Sequence, residues 1–134
     1  MRVVLDTNII IASLSSYSKY HWVIRKLIER EYSVCVTNDI LLEYEEKISE
    51  KYGTEAASNF ISFLKEAPNA VLIDVFFHWG LISDDDDNKF PDCAFSASAD
   101  YIVTEDRHFN ILKTLDFPKI TVIGIKEFEV VLNS

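Results

Sequence analysis

Acidic residues carry the chemistry this sequence offers. Asp6 closes the apolar run Val3-Val4-Leu5, Glu43 lies near the start of an amphipathic stretch, Asp92 follows Pro91, and Asp106 follows Tyr101-Ile102-Val103-Thr104-Glu105. If folding brought these acids together, their like charges would repel and some would be forced to keep a proton. Hard divalent cations resolve that conflict. Magnesium takes oxygen ligands, keeps several waters, and is held by a few carboxylates plus substrate phosphate. A pair of such ions activates water and stabilises the leaving oxygen of a phosphodiester. Taken singly, the acids have a plainer explanation, because the helix dipole favours a carboxylate at a helix N-terminus by about 0.3–1 kcal/mol. That covers Asp92 and extends to Asp106 and Glu43. Asp6, directly after a buried strand, is the strongest candidate.

Other chemistries are excluded by what is missing. With Gly53, Gly80 and Gly124 as the only glycines there is no P-loop and no GxGxxG, and neither HExxH nor GxSxG occurs. Asp84, Asp86 and Asn88 alternate like the start of a calcium loop, but the sixth position is Lys89 and the twelfth is Phe95, which rules it out. The Asp84–Asp87 run therefore reads as a solvated loop. Asp87 remains an alternative metal ligand, and whether Asp87 or Asp92 lies nearer the metal is open. His21, His78 and His108 are dispersed. Cys35 and Cys93 lack zinc-type spacing and read as reduced, partly buried thiols.

The elements that must position the acids follow from hydrophobic period. Val3–Leu5 reads as a strand buried on both faces, as in a parallel sheet. Helices are expected at about 9–14, 20–31, 38–51, 55–67, 91–99, 109–115 and 126–132. Further strands are expected at 33–37, 70–73, 101–103 and 120–123, with 74–89 the least regular stretch. Strands alternating with helices imply a parallel sheet covered on both faces. Ligands of such sheets bind outside the carboxyl ends of the strands. Asp6, Glu43, Asp92 and Asp106 all fall on that edge or one turn from it.

A chain of 134 residues predicts one domain, residues 1–134. The formal net charge of −9 argues against broad, sequence-blind nucleic-acid binding. It leaves room for a nucleic-acid enzyme, since bound ions invert the local charge. No apolar run approaches the ~20 residues of a membrane-spanning helix. The chain opens on a strand rather than a basic leader, so a soluble, cytoplasmic protein without membrane contact is expected.

Several blocks together resemble the PIN-domain family. They are Val3-Val4-Leu5-Asp6-Thr7-Asn8, the Glu43 helix, Asp84-Asp85-Asp86-Asp87-Asn88-Lys89-Phe90, Asp92, and Ala99-Asp100-Tyr101-Ile102-Val103-Thr104-Glu105-Asp106. The likeness is greatest to the branch of toxin components of toxin–antitoxin pairs, the VapC-like ribonucleases. It implies a three-layer α/β/α fold, a five-stranded parallel sheet of order 3-2-1-4-5, and a metal-dependent ribonuclease. Carried over by position, it makes Asp6, Asp92 and Asp106 the ligands of Mg2+ or Mn2+, with Glu43 completing the catalytic acids. Asn8 and Thr104 would orient these carboxylates. Glu105 stands where the family often has glycine, which would alter the approach of metal or substrate.

The expected reaction is hydrolysis of RNA by water activated through the ion, leaving 5′-phosphate and 3′-hydroxyl ends. Lys89, Arg107 and His108 flank the acids and would contact RNA phosphates, or else are simply solvated charges. An antitoxin partner is implied by the resemblance. A homodimer is a further expectation, with the aromatic helices at 20–31 and 55–67 either supplying its interface or packing in the core. Two other readings stand beside the nuclease. One is a phosphoryl-transfer domain of haloacid-dehalogenase or receiver type using Asp6, although Asn8 occupies the place of its second acid. The other is a catalytically silent nucleic-acid or partner-binding module.

Overall fold

The computed structural model describes residues 1–134. Its centre is β1 (Arg2–Leu5), whose Val3, Val4 and Leu5 are fully buried. Two neighbours flank it, β2 (Ser33–Val36) and β4 (Tyr101–Val103). The outer strands are β3 (Ala70–Leu72) and β5 (Val122–Ile123). All pairings are parallel, and the order is 3-2-1-4-5. A strand hydrogen-bonded on both sides and covered on both faces has no polar side to show. This is why the run Val3-Val4-Leu5 is continuous rather than alternating.

Helices complete a three-layer α/β/α arrangement: α1 (Thr7–Ser13), α2 (Trp22–Ile28), α3 (Asn38–Tyr52), α4 (Thr54–Glu66), α5 (Lys89–Ala97) and α6 (Ile125–Leu132). Thr37 caps α3, its hydroxyl accepting from the Ile40 N–H at 3.1 Å. On α3, Ile40, Tyr44 and Ile48 are fully buried at i, i+4 spacing. α5 packs across β1, β2 and β4, and its inward Cys93, Ala94 and Ala97 are small enough for close approach. Cys35 and Cys93 are free and buried more completely than expected.

Three elements depart from the sequence reading. The acidic run is not a plain loop: Asp85–Asn88 forms a 3-10 turn that leads straight into α5. The helix expected at 109–115 is a 3-10 helix over Arg107–Thr114, set by the tight turn in which the Asp106 carboxylate accepts from the His108 N–H at 2.9 Å. The last strand shortens to Val122–Ile123, although Ile120 is buried. The aromatics of the two helices named as a dimer face pack inward. Trp22 lies 5.8 Å from Phe128, and Phe60 lies 6.5 Å from Tyr44.

Tyr44 ties α3 to the end of β1, its buried hydroxyl donating to the Leu5 carbonyl. Tyr44→Phe removes that bond and leaves the shape unchanged. It is expected to lower stability by about 1–2 kcal/mol, measured by urea denaturation.

Candidate active site

Register decides which side chains meet. Leu5 pairs with Val103, so the residues after them, Asp6 and Thr104, stand side by side at the carboxyl end of the sheet. The Asp6 N–H donates to the Val103 carbonyl at 3.0 Å, and the Thr104 hydroxyl donates to Asp6 Oδ2 at 2.7 Å. The same hydroxyl accepts from the Asp106 N–H at 3.0 Å. Thr104 therefore orients one acid through its proton and fixes the backbone of the other through its lone pair. His108 Nδ1 lies 3.5 Å from Asp106 Oδ1 and 3.5 Å from Asp87 Oδ2. The result is a continuous polar chain Asp6–Thr104–Asp106–His108–Asp87.

The electrostatics register this crowding. Asp6 is 5% exposed. Burial pushes its carboxyl up from 3.8 to about 6, against the opposing Thr104 hydrogen bond, and the negative charges of Asp106 and Asp87 add to the rise. Asp87 is likewise raised, first by desolvation and then by Asp84 and Asp106, with His108 pulling the other way. An oxygen-rich donor set whose members hinder one another's ionisation suits a hard divalent cation. Asp87, Asp106 and His108 each offer one ligand atom, all within 4.8 Å of one another.

Glu43 and Asp92 are engaged differently. Glu43 accepts from the Thr7 hydroxyl, next to Asp6 in sequence, and its other oxygen lies 2.8 Å from Lys89 Nζ. Lys89 also donates to the Asp86 carbonyl at 2.6 Å, so this expected phosphate contact is already an internal counter-ion. Asp92 is buried, with one oxygen accepting from the Trp79 N–H at 3.0 Å and the other 3.1 Å from His78 Nδ1. Its carboxylate pins the irregular stretch after β3, while Asp87 takes the place beside Asp106. Asp92, Glu43, Lys89 and His78 instead line an adjoining groove of about 940 Å³.

Asn8 is exposed and makes no hydrogen bond to the acids; the orienting hydroxyl on that turn is Thr7. Arg107 is exposed beside Asp106. Glu105 does not approach the site. Its carboxylate accepts from the Ile125 N–H at 2.7 Å, and a Cβ on Gly124 would meet it at 2.9 Å. Sequence reasoning missed two residues, Thr7 and Asn88. Asn88 is buried and clasps Ile82 from both sides, accepting from its N–H at 2.8 Å and donating to its carbonyl at 2.9 Å. That clasp sets where Asp87 stands. Its signal was an amide closing a run of acids just before a helix.

A PIN domain family model matches residues 2–108. Among solved structures, the chain is similar to VapBC2 from Rickettsia felis bound to a DNA fragment from its promoter, with TM-score 0.64 and 15% identity, covering 92% of this chain and 98% of that one. It is similarly close to VapBC-1 from nontypeable Haemophilus influenzae, with TM-score 0.62 and 17% identity, covering 94% and 99%. No curated protein matches the sequence.

The raised carboxyl of Asp6 has a consequence for stability. Below about pH 3.8 the group is protonated folded or unfolded and costs nothing. As pH rises from 3.8 to about 6 the unfolded chain releases the proton first, so stability is lost across that window and stays lost above it. In metal-free buffer Asp6→Asn is expected to stabilise the fold by about 1–3 kcal/mol at pH 7.5. The gain should vanish near pH 3.5, as read by urea titrations at the two pH values.

Proposed function

The chain belongs to the PIN domain family, and on that premise we propose that it is a metal-dependent endoribonuclease formed as one domain over residues 1–134. The observation that carries this reading is the convergence of Asp6, Asp87 and Asp106 on one sheet edge, joined through Thr104 and His108. We assign Asp6, Asp87 and Asp106 as holders of Mg2+ or Mn2+. Asp92 serves as the anchor of the groove wall, and Glu43 as the acid that keeps Lys89 at the groove. A divalent ion bound there supplies charge neutralisation and water activation at neutral pH.

The chain's own groups do the rest. Thr104 holds the Asp6 carboxylate in one orientation and ties it to the turn carrying Asp106. Lys89, between Glu43 and the Asp86 carbonyl, lines the groove together with Lys47. Arg107, next to Asp106 in sequence, is exposed. We assign Lys89, which would exchange its carboxylate partner for phosphate, and Arg107 to the backbone of a single-stranded phosphodiester, in a chain of net charge −9. The solved VapBC structures support a toxin role with a cognate antitoxin. No helix is long and apolar enough to cross a membrane. A homodimer and a cytoplasmic location remain parts of the same proposal.

Cleavage of single-stranded RNA is the test. Wild-type protein should cut with Mg2+ or Mn2+ and stop with EDTA. Losing an ion-orienting partner outside the metal's ligands typically costs 10–100-fold, so Asp6→Asn and Asp87→Asn are each expected to cost about 100-fold or more. Asp92→Asn should cost less than Asp87→Asn. Cutting that persists in EDTA and in Asp6→Asn would overturn the proposal.

A further inference from the structure

Resting on the nuclease reading, we propose that His108 is itself a ligand of the site's cation and that its imidazole biases the site toward Mn2+ over Mg2+. The sequence suggested only a phosphate contact for this residue. The structure places Nδ1 of this exposed side chain 3.5 Å from both Asp87 Oδ2 and Asp106 Oδ1. Neighbouring ligands of an octahedral ion at ~2.1 Å lie roughly 3 Å apart, and opposite ones roughly 4.2 Å. The two Nδ1 separations of 3.5 Å fall between these values, and all three donor atoms lie within 4.8 Å of one another.

The local backbone brings His108 beside Asp106. The His108 N–H donates to Asp106 Oδ1 at 2.9 Å, so the residue that supplies the carboxylate also sets the turn that supplies the imidazole. Asp87 arrives from the opposite side, fixed by the Asn88 clasp on Ile82. Two carboxylates and one nitrogen thus meet from two separate chain segments.

The nitrogen sets the preference. Magnesium favours all-oxygen surroundings and gains little from imidazole, whereas first-row transition ions accept mixed nitrogen and oxygen donors. A purely ion-pairing imidazole would be displaced by the cation, while a ligating one stays with its lone pair directed at it. The two roles therefore differ in a spectroscopic observable as well as in affinity.

The experiment titrates full-length wild type, His108→Ala and His108→Asn with Mn2+, read by electron paramagnetic resonance, and with Mg2+ by competition. Pulsed spectra of the Mn2+-loaded proteins report any directly bonded nitrogen. The expected result is a 14N coupling in wild type that both variants lose. Mn2+ affinity should fall about tenfold or more in His108→Ala, with Mg2+ affinity changed less than about threefold. Bound Mn2+ without nitrogen coupling, or equal loss of both ions, would overturn the inference. If Asp6→Asn abolishes Mn2+ binding while His108→Ala leaves it untouched, this inference falls and the nuclease reading stands. If wild type binds neither ion, both fall.

Discussion

Burial of a carboxyl group at one end of a parallel sheet, beside further carboxyl groups, is the constraint that the rest of the molecule accommodates. Asp6 cannot move away from Asp87 and Asp106. It follows three fully buried residues, and its own N–H is bonded to the neighbouring strand. The hydrophobic cluster of 33 buried residues holds β1 in the middle of the sheet, and that fixed position imposes the unfavourable charge. Packing thus sustains an arrangement that electrostatics alone would disperse, a relation common where activity needs a strained site.

Around this strain the remaining charges are sorted by position. Lys89 neutralises Glu43 at the groove, His108 stands between Asp87 and Asp106, and His78 meets Asp92. Glu105, interposed between Thr104 and Asp106 in sequence, is sent to the amino end of α6, where a carboxylate is welcome to a free N–H. Asp6, Glu43, Asp92, Glu105 and Asp106 therefore each have a hydroxyl, cation or amide partner. The least compensated acids are Asp6 and Asp87, and both have raised carboxyl groups.

Much of this was readable before any coordinates. The parallel sheet followed from uninterrupted apolar runs alternating with helical periods and Asp6 from its place after β1, whereas the strand order and the orienting role of Thr104 came only from the family resemblance. What the sequence left open was side-chain partnership across long separations. Asp87 and Asp92 both lie within a turn of the start of α5, five residues apart, which on a helix of 3.6 residues per turn points them in different directions. Choosing between them requires knowing where α5 begins. The 3-10 turn at Asp85–Asn88 and the Asn88 clasp made that boundary illegible. Glu105 was misjudged for a similar reason: its partner, Ile125, lies twenty residues onward, in an element no local pattern connects to it.

The central place of the first strand also orders events during synthesis. Asp6 leaves the ribosome about a hundred residues ahead of Thr104, which orients it, and of Asp106. Until β4 arrives to lie beside β1, the edge of β1 that will receive it has no neighbour and no acid pocket exists. Any hydrolytic capacity of the pocket is thereby withheld from the nascent chain. The topology delays it until β4 has been translated and has paired with β1.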